Sequence, residues 1–116
     1  MTKSKFNNNK IIIDEIKFDS KKEAQRYLVL KEMLEQDLIK DLALQPKFIL
    51  QDKFKHNGKT HRKIEYVADF SYTRVEDDKY IIEDVKGFKT REFRMKEKLL
   101  LKTLVDKGIA FEFNLI

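Results

Sequence analysis

Three charged residues in the second half of the chain have the types and spacing to act on a phosphate ester. Asp84 and Lys86 lie two apart in the run that begins at Tyr80. On an extended strand they leave the same face, with Glu83 and Val85 on the other. Asp69 interrupts the apolar stretch from Ile64 to Tyr72, and the polar turn Glu76-Asp77-Asp78-Lys79 is short enough to fold the two stretches side by side. Hydrolysis of a phosphodiester requires an activated water, neutralisation of charge on the phosphoryl oxygens and help for the departing oxyanion. Two carboxylates and an ammonium meet those needs. Asp69 and Asp84 are hard oxygen ligands of the kind Mg²⁺ takes, with Mn²⁺ as a substitute, and the Val85 carbonyl is a further candidate ligand. Lys86 either orients or deprotonates the attacking water, if its pKa falls from about 10.4, or stabilises the transition state as a cation.

Several elements must position these groups. Ser20-Lys21-Lys22-Glu23 has the spacing of a helix capping box, and Ala24, Tyr27, Leu28, Leu30, Leu34 and Leu38 follow at helical intervals, which predicts a helix over about 21–36. Glu23 is therefore either the capping carboxylate or an acidic group presented to the metal. Before it, Ile11–Ile13 and Ile16–Phe18 suit a short hairpin, although Asp14-Glu15 is a poor pair for a tight primed turn. Leu42, Leu44, Phe48 and Leu50 read as the first main strand, with Pro46 favouring an edge or a bulge. After turn chemistry at His56-Asn57-Gly58-Lys59, a second strand places Ile64, Tyr66, Ala68, Phe70 and Tyr72 on one face and Glu65, Val67, Asp69 and Ser71 on the other. Tyr80 to Lys86 is a third strand, ended by Gly87.

A second helix is predicted over 90–106, with Phe93, Leu100, Leu101, Leu104 and Val105 inward and Gly108 just past its end. Ile109, Phe111, Phe113 and Leu115 alternate as a last strand. The three main strands form an antiparallel meander, and the strand–helix–strand crossover places the last strand parallel to the third. The expected fold class is α/β, with helices packed on a mixed four-stranded sheet.

On these residues the chain resembles the PD-(D/E)XK nuclease superfamily, which includes restriction endonucleases and archaeal-type Holliday-junction resolvases. The resemblance lies in the helix bearing Glu23, in Tyr66-Val67-Ala68-Asp69-Phe70 and in Glu83-Asp84-Val85-Lys86-Gly87. Phe18 to Ala24, Leu44 to Phe48 and Glu83 to Lys89 are also similar to a phage-encoded family of small proteins of unknown function, over about Ile11 to Phe113. The superfamily resemblance implies a restriction-endonuclease-like αβββαβ core. It makes Asp69, Asp84 and Lys86 the signature triad, and Glu23 the helical acid that some members use as a metal ligand. Ala68 departs from the pattern, standing where the superfamily's name has proline.

The implied activity is a Mg²⁺-dependent endodeoxyribonuclease, structure-selective for branched or Holliday-junction DNA in phage recombination or packaging and acting as a homodimer. Two alternatives remain open. One is a nuclease or nickase for ordinary duplex or single-stranded DNA, and the other is a non-cleaving DNA-binding or assembly factor on the same fold. Lys and Arg total 25 against 20 for Asp and Glu, so the net charge of +5 suits a polyanionic partner. Arg91, Arg94, Lys98 and Lys102 recur at steps of three and four on the second helix; with Lys89 just before it they form a stripe suited to DNA phosphates, or else a solvated face.

Gln25 and Gln45 read as ordinary surface or sheet residues before contacts to phosphate or the water, and His56 and His61 as surface residues, with a DNA contact by His61 or Arg62 the lesser alternative. Absence of cysteine excludes disulfides, thiolate metal sites and a Cys nucleophile. At 116 residues the chain is read as one domain over 11–116 behind a flexible basic arm, residues 1–10. Neither a signal peptide nor a membrane-length apolar run is visible, so a cytoplasmic protein with no membrane or small-molecule cofactor is expected.

Overall fold

In the computed structural model, which describes residues 10–85 and 90–116, the chain opens with a hairpin of β1 (Ile11–Ile13) and β2 (Ile16–Phe18). Its turn residues Asp14 and Glu15 take φ of 54° and 67°, the left-handed conformation a primed turn demands and one these types adopt at a cost. Tertiary contacts offset that cost. The Asp14 carboxylate accepts from the Tyr27 hydroxyl at 2.8 Å and from Lys31 Nζ at 2.6 Å, tying the turn to helix α1 (Lys21–Glu35). Ser20 caps this helix, its hydroxyl accepting from the Glu23 N–H at 3.1 Å.

The buried face of α1 is narrower than its sequence predicts, comprising Glu23, Ala24, Tyr27 and Leu30. Leu28, Leu34 and Leu38 are exposed. Leu28 is turned about 100° from Tyr27 around the axis, Leu34 sits in the last turn, and Leu38 lies past the helix end.

The predicted first main strand is two strands, β3 (Ile39–Leu44) and β4 (Lys47–Gln51), broken at Gln45-Pro46. A separate hairpin follows, β5 (Phe54–His56) and β6 (Lys59–His61), around the turn predicted at Asn57-Gly58. The predicted second strand is also broken, at Ala68-Asp69, into β7 (Ile64–Val67) and β8 (Phe70–Arg74). These two breaks lie side by side, since Leu44 pairs with Phe70 and Lys47 with Val67. Backbone groups there remain satisfied, as burial requires: Gln45 N–H donates to Asp69 O at 2.9 Å and Ala68 N–H to Pro46 O at 3.1 Å.

After β8 come β9 (Lys79–Asp84), α2 (Arg91–Asp106) and β10 (Phe111–Leu115). The main sheet has the order β10-β9-β8-β3, with β10 parallel to β9 as the crossover predicts and the other pairs antiparallel. Strands β4 and β7 continue as a two-stranded ribbon. Helix α1 packs with Phe70, Tyr72 and Ile81 in one core, while Leu100 and Leu104 of α2 pack with Tyr66, Ala68 and Ile82 in the other. Neighbouring strand residues Ile81 and Ile82 thus point to opposite helices, and the fold is α/β with a helix on each face of a mixed four-stranded sheet.

Tyr66 and Ala68 therefore do not share a face with Phe70 and Tyr72, contrary to the strict alternation predicted. Asp69 is the inserted residue at which the alternation slips by one. Val105 is exposed rather than inward, being about 100° round the helix from the buried Leu104. Ile109 precedes the last strand, which starts at Phe111. Lys86, the expected terminator Gly87, Lys89 and all of the expected N-terminal arm except Lys10 lie outside the described residues. Among the described residues no helix is long and apolar enough to cross a membrane.

Candidate active site

The slip at Asp69 positions the two predicted carboxylates. A residue in regular alternation would direct its side chain squarely to one helix layer, whereas Asp69, between β7 and β8, sits beside the end of β9. Its N–H is shared between the Glu83 carbonyl oxygen at 3.1 Å and Asp84 Oδ1 at 2.9 Å. In return, Asp69 Oδ2 accepts from the Val85 N–H at 2.7 Å. Each aspartate is thus oriented by backbone from the other's strand. Asp84 is buried, and its Oδ2 accepts from the buried Tyr66 hydroxyl. Burial, and then the hydrogen bond to Asp84, push the Tyr66 hydroxyl well above its ordinary pKa, so it stays a proton donor.

Glu23 approaches from α1. It shares a small pocket of about 70 Å³ with Asp69, Gln45 and Lys17. Its carboxyl is pushed up to about 7, first by burial and then by the negative charges of Asp69 and Asp19; a backbone hydrogen bond at Asp19 works in the other direction, and Asp84 adds to the rise. The Ser20–Glu23 cap runs through Glu23's backbone, whose N–H donates to the Ser20 hydroxyl, and the residue also lines the pocket. Gln45, read from sequence as an ordinary sheet residue, lines this pocket because its φ of 52° at the strand break turns the chain there. Gln25 is exposed on α1.

Among the described residues no three His, Cys, Asp or Glu side chains form a ready metal cage. The donor set still suits a hard divalent cation held by few protein ligands and several waters, the usual habit of Mg²⁺. Burial is the first cause of the raised Glu23 pKa, and the charges of Asp69, Asp19 and Asp84 that add to it are of the kind a cation would offset.

A second polar cluster lies on the α1 face of the same strand and was not foreseen. Glu83 is fully buried; Arg26 grips it with Nε at 2.8 Å and Nη2 at 2.6 Å, and the Tyr72 hydroxyl donates to it at 2.5 Å. Burial, and then the bond to Glu83, raise the Tyr72 pKa, while the bond to Glu83 also raises that of Arg26. Only the charge of Glu83 within an apolar strand, on the face opposite Asp84, signals this arrangement in the sequence. Naming Arg26 as its partner requires knowing that α1 covers that face.

Of the predicted DNA stripe, Arg91, Arg94, Lys98 and Lys102 are all exposed on α2, as their spacing predicts. Lys102 is committed to Asp106, with Nζ 2.5 Å from Oδ2, which leaves it the weakest candidate for a phosphate. His56 and His61 lie on the β5–β6 hairpin, away from the two aspartates in the strand order.

No curated protein and no solved structure matches the chain. A family model does match, over residues 3–111, a span that takes in α1, both strand breaks, Asp69, Asp84 and α2. The chain that builds this carboxylate site accordingly belongs to the family described as Protein of unknown function (DUF1064).

Proposed function

We propose that the chain is a metal-dependent endodeoxyribonuclease whose core is of the restriction-endonuclease-like PD-(D/E)XK type. The observation that carries this reading is the reciprocal bonding of Asp69 and Asp84, each carboxylate held by a backbone N–H at or beside the other. Paired carboxylates fixed at a strand break, with a third acid opposite, are costly to assemble for stability alone, because like charges brought together repel.

Magnesium, when bound, neutralises charge on phosphoryl oxygens and acidifies water. The chain's own residues do the rest. Asp69 and Asp84 hold the cation, with the Val85 carbonyl a further donor. Tyr66 and the Asp69 N–H fix the orientation of Asp84, as outer-shell partners of metal ligands do. Glu23 supplies a third carboxyl from α1. Lys86, two residues beyond Asp84, supplies the cation for the nucleophile or the transition state. Lys89, Arg91, Arg94 and Lys98 engage the phosphate backbone, Lys102 less strongly. The favoured substrate is branched or junction DNA in phage recombination or packaging, cut by a homodimer because a junction needs paired incisions.

One observation favours a second reading, a non-cleaving DNA-binding or assembly factor. Asp84 is buried and engaged by Tyr66. Cleavage assays decide between the two. Purified protein is incubated with labelled four-way junction, linear duplex and single-stranded DNA in Mg²⁺, Mn²⁺ or EDTA. The nuclease reading predicts metal-dependent cutting that Asp84→Asn and Lys86→Ala reduce by at least about a hundredfold while DNA binding persists. Intact DNA in both metals would establish the binding-factor reading. Equal cutting of duplex and junction would remove junction selectivity alone.

A further inference from the structure

The β5–β6 hairpin belongs to neither core. Among the described residues it pairs with no other strand, and every residue from Gln51 to Thr60 is exposed. A two-stranded ribbon alone is marginal in water, so this one contributes little to holding the fold together. Its composition is nonetheless strongly biased. Between Asp52 and Lys63 the chain carries Lys53, Lys55, Lys59, Arg62 and Lys63 against Asp52 alone, an excess of four positive charges in a chain whose whole excess is five.

The hairpin also presents an aromatic face. Phe54 and His61 are directly opposite across the strands, so they share one face, and their rings stack with centroids 4.7 Å apart and planes 12° from parallel. Phe54 is 46% exposed, leaving ring surface open to solvent. His56 and Lys59, opposed one pair further on, lie on that same face, and the intervening pair Lys55 and Thr60 lies on the other. The turn is built to hold this shape: Asn57 and Gly58 take φ of 52° and 76°, as a type I′ connection requires. A flat aromatic surface among lysines on a projecting ribbon is the combination that binds single-stranded nucleic acid, where phosphates meet the cations and bases stack on the rings.

We infer that the β5–β6 hairpin is a DNA-gripping arm, whose Lys55, Lys59 and Arg62 engage backbone phosphates while the Phe54–His61 stack receives an unpaired base. The inference rests on the nuclease reading in that it names the substrate class, DNA that carries unpaired bases away from the cut. Binding tests it without cleavage. Full-length protein in EDTA is titrated against a fluorescent single-stranded oligonucleotide and against the same sequence as a duplex.

Phe54→Ala should weaken single-strand binding about tenfold and change duplex binding little, and Phe54→Trp should restore it. The double variant Lys55→Ala/Lys59→Ala should lower the salt dependence of single-strand binding by about 1.4 in log–log slope. All these variants should unfold at the wild-type temperature, because the hairpin lies outside both cores. Wild-type affinity in Phe54→Ala would overturn the inference, as would equal hairpin-dependent binding to anionic lipid vesicles. Protein that grips single strands through the hairpin but never cuts refutes only the nuclease reading. Protein that cuts while hairpin variants bind normally refutes only the arm.

Discussion

Glu23 serves the helix cap with its backbone and the pocket with its side chain. Its carboxyl is held to a pKa of about 7 against an ordinary 4.5. The folded chain therefore binds this proton more tightly than the unfolded chain does. Its stabilising contribution is full below pH 4.5, declines as the pH rises to about 7 and is flat above that. In EDTA, Glu23→Gln should unfold at a higher denaturant concentration than wild type at pH 8, by about 1–2 kcal/mol after allowance for solvent screening, and about equally at pH 4. Equal destabilisation of the variant at both pH values would mean that the carboxylate works mainly for the helix end. Tyr66→Phe isolates the other support of the site. It should cost about 1–2 kcal/mol by removing a buried donor from Asp84, seen in the denaturation midpoint, and should lower metal affinity.

At the scale of elements, β9 carries two acids on opposite faces with opposite fates. Asp84 meets Asp69 at the strand break, whereas Glu83 is neutralised by Arg26 from α1 and accepts a hydrogen bond from the Tyr72 hydroxyl. Arg26→Ala would leave a buried carboxylate without its cation and should destabilise the fold by about 3–5 kcal/mol, while Arg26→Met with Glu83→Leu should recover most of that loss. Thermal unfolding of the single and double variants reads this directly; equal losses in both would place the damage in packing rather than in the charge.

Helix α1, helix α2 and the parallel pairing of β10 were legible in the sequence, because capping residues, helical spacing and crossover handedness are local or general rules. The side-by-side breaks at Gln45-Pro46 and Ala68-Asp69 were not. Pro46 announced an irregularity in its own strand, but nothing local to residues 64–72 announces that the partner strand bends with it. That slip exchanges the faces of Tyr66 and Phe70 and brings Gln45 to the site. The proximity of Asp69 and Asp84 was legible because a short turn joins their strands; the means of holding them, through Val85 N–H and the Tyr66 hydroxyl, was not.

The described residues form a broad, thin body, 51 × 50 × 23 Å, whose radius of gyration of 16.7 Å exceeds the roughly 13 Å of a compact 100-residue domain. Elements standing off the two cores, the β5–β6 hairpin among them, give it reach that a small globule lacks. On the proposed function the working centre of the molecule is the pair of aspartates. The most direct measurement is therefore Mn²⁺ binding to the intact protein, followed by electron paramagnetic resonance of the free ion, in wild type, Asp69→Asn and Asp84→Asn. The account predicts that wild type removes Mn²⁺ from solution and that each variant weakens this by at least about tenfold with an unchanged fold. Mn²⁺ uptake that is absent in wild type, or undiminished when either aspartate is neutralised, would contradict it.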